Sequence, residues 1–180
     1  MDLYELRESR NFEQINTSQK ILYFQNVAKK CAGFWNIPTT AMFTLLNYTE
    51  NATFDVSWGV NQHMILRIHR QWYTTKETIL SELAWLKSLR EVGIRVPKPV
   101  ESNCGQMVVQ VETEYGLRLV DCEEFETGKE VIFSDEVDFE AIGNIIAQIH
   151  INSMNYNRPT FHNRINWGYE TTFSEKKQLP

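Results

Sequence analysis

Apolar residues recur at helical spacing in three places along this chain, and at alternate positions in short runs between them. Ile21, Leu22, Phe24, Val27, Ala28 and Cys31 follow a 3.6-residue period, with Ser18 as the expected cap and Gly33 as the expected stop. Residues 76–92 repeat the pattern more strongly, with Ile79, Leu80, Leu83, Leu86 and Leu89 as the stripe and Gly93 as its end. A third helix is predicted over 137–156, with Phe139, Ile142, Ile145, Ile146, Ile149 and Met154 on one side and Ser134 or Asp135 to cap it. The runs 42–48, 53–58 and 64–69 read as strands, the last two joined by a hairpin turn at Gly59-Val60-Asn61-Gln62. Residues 96–100 are extended, because Pro97 and Pro99 push their predecessors out of the α region. Residues 107–111 and 117–122 read as further strands, and 123–128 as a connector. The order is helix, three strands, helix, three strands, connector, helix. It predicts an α+β fold with an antiparallel sheet of five or six strands.

Composition narrows the function classes. At 180 residues the chain is ample for a hydrophobic core. Its net charge is −5, and its densest basic spots are Lys29-Lys30 and Lys176-Lys177. Nucleic acid is therefore an unsuitable partner, since Lys and Arg must neutralise phosphates. No apolar run reaches the ~20 residues of a membrane span. Cys31, Cys104 and Cys122 lie far apart without a C-x-x-C pair, which argues against zinc and suits a cytoplasmic protein. The matches to glycosylation acceptors at Asn16, Asn47 and Asn51 read as chance, because no signal peptide is recognisable at the N-terminus. The four histidines, His63, His69, His150 and His162, have no metal spacing, and His150 reads as structural.

The chemistry is concentrated between Leu45 and Glu82. Arg67 interrupts an apolar strand, with Ile65 and His69 on its face and Met64, Leu66 and Ile68 on the other. Such a cation either points to solvent or lines a cleft with a carboxylate to fix its rotamer. Glu82 is the natural partner, because it sits beside the apolar stripe of the next helix, where an unpaired charge is costly. Glu77 and Glu91 are alternatives near the ends of that helix. Asn51 and Thr53 belong to a polar loop from Asn47 to Phe54 that is either an ordinary turn or a phosphate-covering loop. A donor-rich loop, a strand cation and a helix carboxylate are the parts with which a kinase-type small lobe holds nucleotide phosphates. The connector, with Glu124 and Glu126, is the candidate hinge or a plain linker.

Four segments carry a family resemblance. They are Thr49 to Val56, Ile65 to Arg70, Ser81 to Leu86, and Val96-Pro97-Lys98-Pro99. In that order they resemble the small lobe of the aminoglycoside phosphotransferase family, which includes choline-kinase-like and homoserine-kinase-like enzymes. Phe125-Glu126-Thr127-Gly128 is similar to the family hinge, and Ile145 to His150 to the first helix of its large lobe. The resemblance implies a nucleotide-binding small lobe and hinge over 42–128, a helical extension over 1–41 and the start of a large lobe over 129–180. It implies ATP and magnesium as cofactors and a small-molecule hydroxyl as acceptor. It also implies nucleotide-binding roles for Asn51, Thr53, Arg67, Glu82, Glu124 and Glu126.

The family's catalytic loop, His-x-Asp with Asn four residues on, is missing. Aspartate occurs only at Asp2, Asp55, Asp121, Asp135 and Asp138, and none follows a His-x. Asp138-Phe139-Glu140 mimics the family's magnesium-binding motif but opens a helix too early. The expectation is thus a truncated phosphotransferase, inactive alone, with its magnesium ligands outside this chain. The rival is a non-catalytic binding or regulatory module with a kinase-like shell. Further expectations are a short helix around Tyr4 and Leu6, and either self-association through the apolar face of the last helix or a disordered tail after about Asn157.

Overall fold

The computed structural model describes residues 12–71, 73–128, 137–164 and 168–169. The expected helix around Tyr4 and Leu6, the expected caps Ser134 and Asp135, and most of the expected tail lie outside them. Five strands form one antiparallel sheet: β1 (Met42–Tyr48), β2 (Asn51–Trp58), β3 (Gln62–His69), β4 (Val108–Thr113) and β5 (Gly116–Glu124). Their spatial order is β1-β2-β3-β5-β4. The inversion at the end arises because α2 (Lys76–Glu91) intervenes between β3 and β4. The predicted strand at 96–100 is a fragment, with a single bridge from Pro99 to Glu123. Main-chain bonds from Val100 to Cys122 and from Glu124 to Lys98, both 2.8 Å, dock it on β5. Two prolines within five residues leave too few N–H donors for a longer ladder.

Period-two alternation gives the sheet two unlike faces. On one, Phe54, Val56, Leu66, Ile68 and Val120 are wholly buried. They pack in one core with Tyr23, Phe24, Val27, Ala28 and Cys31 of α1 (Thr17–Cys31) and with Trp35. Burial pushes the Cys31 thiol up to about 12, so it is neutral and unreactive. Arg118 is also buried on this face. Its guanidinium lies 4.7 Å from the Phe12 ring centroid, 5.4 Å from Tyr23 and 5.3 Å from Phe24, and its Nε donates to the Tyr23 hydroxyl. On the other face Ile79 and Leu83 of α2 cover Val108, with Leu119 against them.

Local signals explain the helix ends. The N-cap of α1 is Asn16, not Ser18: Asn16 and Gln19 exchange side-chain-to-backbone bonds in a capping box. The chain continues past Gly33 in a 3-10 turn and reverses at Asn36, whose φ of 55° is left-handed. Thr75 caps α2. Asp138 caps α3 (Phe139–Asn155), so the Asp138-Phe139-Glu140 string serves as a helix start.

The helix α3 touches the rest of the fold through a polar pin. Asn152 accepts from the Trp85 indole at 3.0 Å and donates to the Ser88 hydroxyl at 3.0 Å. His150 is exposed. Among the described residues no helix is long and apolar enough to cross a membrane.

The wholly buried Phe54 joins β2 to the α1 core. Phe54→Ala is expected to destabilise the protein by about 3–5 kcal/mol in denaturant unfolding. Phe139, Ile142, Ile145, Ile146, Ile151 and Met154 of α3 are exposed. Concentration-dependent association is the expected result by sedimentation velocity, reduced by Ile145→Glu together with Ile146→Glu.

Candidate functional site

Because Leu66 and Ile68 turn to the α1 core, Arg67 must emerge on the opposite face. Register places Thr53 of β2 and Asp121 of β5 directly beside it. Glu123 lies two residues further along β5, on the same face, opposite Ile65. From above, α2 brings Glu82, one residue before the Leu83 that anchors the helix. Nη1 of Arg67 donates to Glu82 Oε1 at 2.8 Å and to Glu123 Oε1 at 3.0 Å. Side-chain exposure is 15% for Arg67, 33% for Glu82 and 6% for Glu123. Asp121 is fully buried, bonded through Oδ1 to His69 Nε2, while its Oδ2 has no hydrogen-bond partner among the described residues.

The electrostatics follow from this crowding. Burial works against the charge on Arg67, but the carboxylates of Asp121, Glu82 and Glu123 outweigh it and hold the guanidinium above its usual range. Burial raises the Glu123 carboxyl, with a further push from Asp121, and the opposing pull of Arg67 does not cancel it. Both Arg67 bonds use Nη1; among the described residues no hydrogen bond engages Nη2 or Nε. A fixed guanidinium with a free edge suits bidentate contact with phosphate oxygens.

The other sequence-predicted residues are spread more widely. The expected loop from Asn47 to Phe54 is a tight turn, because β1 runs to Tyr48 and β2 starts at Asn51. Ala52 and Thr53 pair with strands on both sides, so their main-chain groups serve the sheet. Asn51 stands opposite His69 and Thr53 opposite Arg67, which puts both side chains on the Arg67 face. Glu124 pairs with Met64 and faces the other way; its carboxylate is tied to Lys98 at 2.5 Å. Glu126 takes Arg95 Nε at 2.6 Å and Arg90 Nη1 at 3.0 Å, and these bonds, with that of Arg95 first, hold its carboxyl below the usual range. Glu77 opens α2 and Glu91 ends it, and neither contacts Arg67.

Sequence reasoning missed Asp121, Glu123 and Arg164. The predicted strand stopped at Cys122, which assigned Glu123 to the connector. The overlooked signal was the Asp121-Cys122-Glu123 alternation, which continues a strand with acids on one face. Arg164 approaches Glu82 Oε2 at 3.5 Å and lies 5.8 Å from the Trp85 ring centroid. Grooves of about 520 Å³, between α2 and α3, and about 170 Å³, beside Tyr23 and Lys30, lie elsewhere, and Arg67 lines neither. Among the described residues no group of three His, Cys, Asp or Glu is arranged to hold a metal ion.

No family model and no curated protein matches this sequence. Solved structures do. A microcompartment-associated aminopropanol kinase superposes with a TM-score of 0.72 at 33% identity over 82% of this chain. An amicoumacin kinase in complex with AMP-PNP, Ca2+ and Ami superposes with a TM-score of 0.71 at 26% identity over 85% of this chain. The fold is that of the kinase-like phosphotransferases. The chain spans less than half the length of each neighbour, 46% of the first and 47% of the second.

One pH dependence follows from the site. The folded Glu123 carboxyl holds its proton more tightly than the unfolded chain does. The stability linked to this group is therefore full below the unfolded pKa and is lost as pH rises through the folded one. The unfolding free energy of Glu123→Gln is expected to gain on that of the parent as pH rises from about 4 to about 7. A difference that stays flat across that range counts against the raised carboxyl.

Proposed function

We propose that this chain is the nucleotide-binding small lobe of a phosphotransferase of the aminoglycoside phosphotransferase family, the kind that moves the γ-phosphate of ATP to a hydroxyl of a small molecule. The observation that carries the reading is the Arg67–Glu82 pair on the sheet face, at 2.8 Å, in a fold shared with two small-molecule kinases. Arg67 would bind phosphate oxygens through Nη2 and Nε, and Glu82 would orient it. Asn51 and Thr53, on the same face, would contact the nucleotide through their side chains rather than through a donor-rich loop. Residues 124–128, with Glu124 and Glu126 fixed by Lys98, Arg90 and Arg95, would form the hinge.

A divalent ion, when bound, neutralises charge on the transferring phosphates. The AMP-PNP and Ca2+ in one structural neighbour support such an ion here. Its ligands are not assigned to the described residues. The sequence holds no His-x-Asp to supply the family's general base, so the 180-residue chain alone would transfer no phosphate. That absence also favours a second reading, a kinase-like module that binds or regulates without catalysis. Soluble, cytoplasmic residence fits the charge and the cysteine usage.

Thermal unfolding with and without Mg-ATP tests the proposal. Nucleotide at 100 times its dissociation constant adds about 2.7 kcal/mol to a protein with a true site. The shift is expected in the parent and not in Arg67→Ala. No shift in the parent favours the non-catalytic module, and phosphate release above background, abolished by Arg67→Ala, overturns the assignment of inactivity.

A further inference from the structure

Glu82 is a divided partner for Arg67. One of its oxygens accepts from Arg67, the other faces Arg164 at 3.5 Å, and a third of the side chain is exposed. It also rides on α2, which rests on this face of the sheet through the small cluster of Ile79, Leu83 and Val108. A modest shift of that helix moves its carboxylate away from the guanidinium.

Glu123 differs on each point. Its side chain is almost wholly buried, and among the described residues Arg67 is the one cation paired with it. It projects from β5, which is hydrogen-bonded to β3 along a register from Met64↔Glu124 to Ile68↔Val120. Its distance to Arg67 is therefore set by the main-chain ladder and not by how α2 docks. Asp121 adds negative charge from the position directly opposite Arg67 but is itself bonded to His69. Thr53, across β2, brings no charge. A buried carboxylate is costly, and a hydrophobic residue at this position would pack against Ile65 at less cost. The fold instead keeps an acid on the same guanidinium nitrogen that Glu82 uses.

We propose that Glu123 is a positioning residue for the phosphate-binding guanidinium: it anchors Arg67 from within the sheet through Nη1, independently of α2 and Glu82, and so keeps Nη2 and Nε turned to the nucleotide. This rests on the nucleotide reading above. Arg67 is then held by two carboxylates, the nearer one at 2.8 Å riding on α2 and the one at 3.0 Å fixed on β5 by the strand ladder. Loss of Glu82 leaves an anchored cation, whereas loss of Glu123 leaves one that follows the helix.

The test reads the guanidinium directly. In isotope-labelled protein the Nη1–H signal of Arg67, the group bonded to Glu123, is identified by its disappearance in Arg67→Ala. Solvent exchange of that proton is expected to speed up about tenfold in Glu123→Gln, the equivalent of one charge-assisted hydrogen bond, and by much less in Glu82→Gln. The dissociation constant of Mg-AMP-PNP is expected to rise about tenfold in Glu123→Gln as well. Unchanged exchange in Glu123→Gln, an equal or larger change in Glu82→Gln, or tighter nucleotide binding without Glu123 overturns the assignment. Should Glu123→Gln not fold, Glu123→Asp, which draws the charge back by one methylene, is read the same way. If the exchange result holds while no variant binds nucleotide, the anchoring stands and the nucleotide reading falls, so the two failures are separable.

Discussion

A single guanidinium holds together a face of the sheet that would otherwise repel itself. Asp121, Glu123 and Glu82 converge on Arg67 from two elements, and two of the three are nearly or wholly buried. Without a cation among them these carboxylates would have to take up protons or move apart, because charge in a low-dielectric site is stable only when paired. Without the carboxylates the cation would lie unpaired beneath α2. Each side of the arrangement requires the other, and both require the β3–β5 register that places Arg67 opposite Asp121. The docking of α2 depends on it too, since the helix that seats Ile79 and Leu83 on the sheet also carries Glu82.

The opposite face solves the same problem by other means. Arg118 is buried there among the rings of Phe12, Tyr23 and Phe24, with one bond to a phenolic hydroxyl. Aromatic faces stabilise a cation without fixing its hydrogen-bonding edge. That suffices for tying α1 to β5. It would not suffice for a group that must present chosen N–H donors to a ligand, and there the protein uses carboxylates instead. The contrast between the buried Arg118 and the partly exposed Arg67 separates a structural cation from a candidate binding one.

The last described helix shows how an apolar helix can be held by polar contacts. α3 meets α2 through Asn152, Trp85 and Ser88, while much of its apolar surface stays exposed. Directional bonds set the position of the helix, and the exposed Ile and Met side chains remain free to be covered.

Much of the fold was legible in the letters. Period-two and period-3.6 patterns placed five strands and three helices to within a few residues, since those periods follow from backbone geometry alone. The Arg67–Glu82 pair was legible too, because each charge interrupts an apolar run and so asks for a partner. Other features were settled only by tertiary structure. Glu123 lay past the expected end of its strand, and its meaning depended on a register with β3, fifty-odd residues away in sequence. Glu124, one residue on, faces the other way for the same reason: on a pleated strand a shift of one position exchanges the two faces. The supposed phosphate loop became a tight turn because β2 pairs on both sides up to Ala52. Arg164 reached Glu82 only through the path of the chain after α3. The sequence by itself determined which residues had to be buried and which charges needed partners, because those are local demands of solvation and periodicity. Which partner each charge received was decided by strand pairing and helix docking, which bring together residues that no local pattern connects.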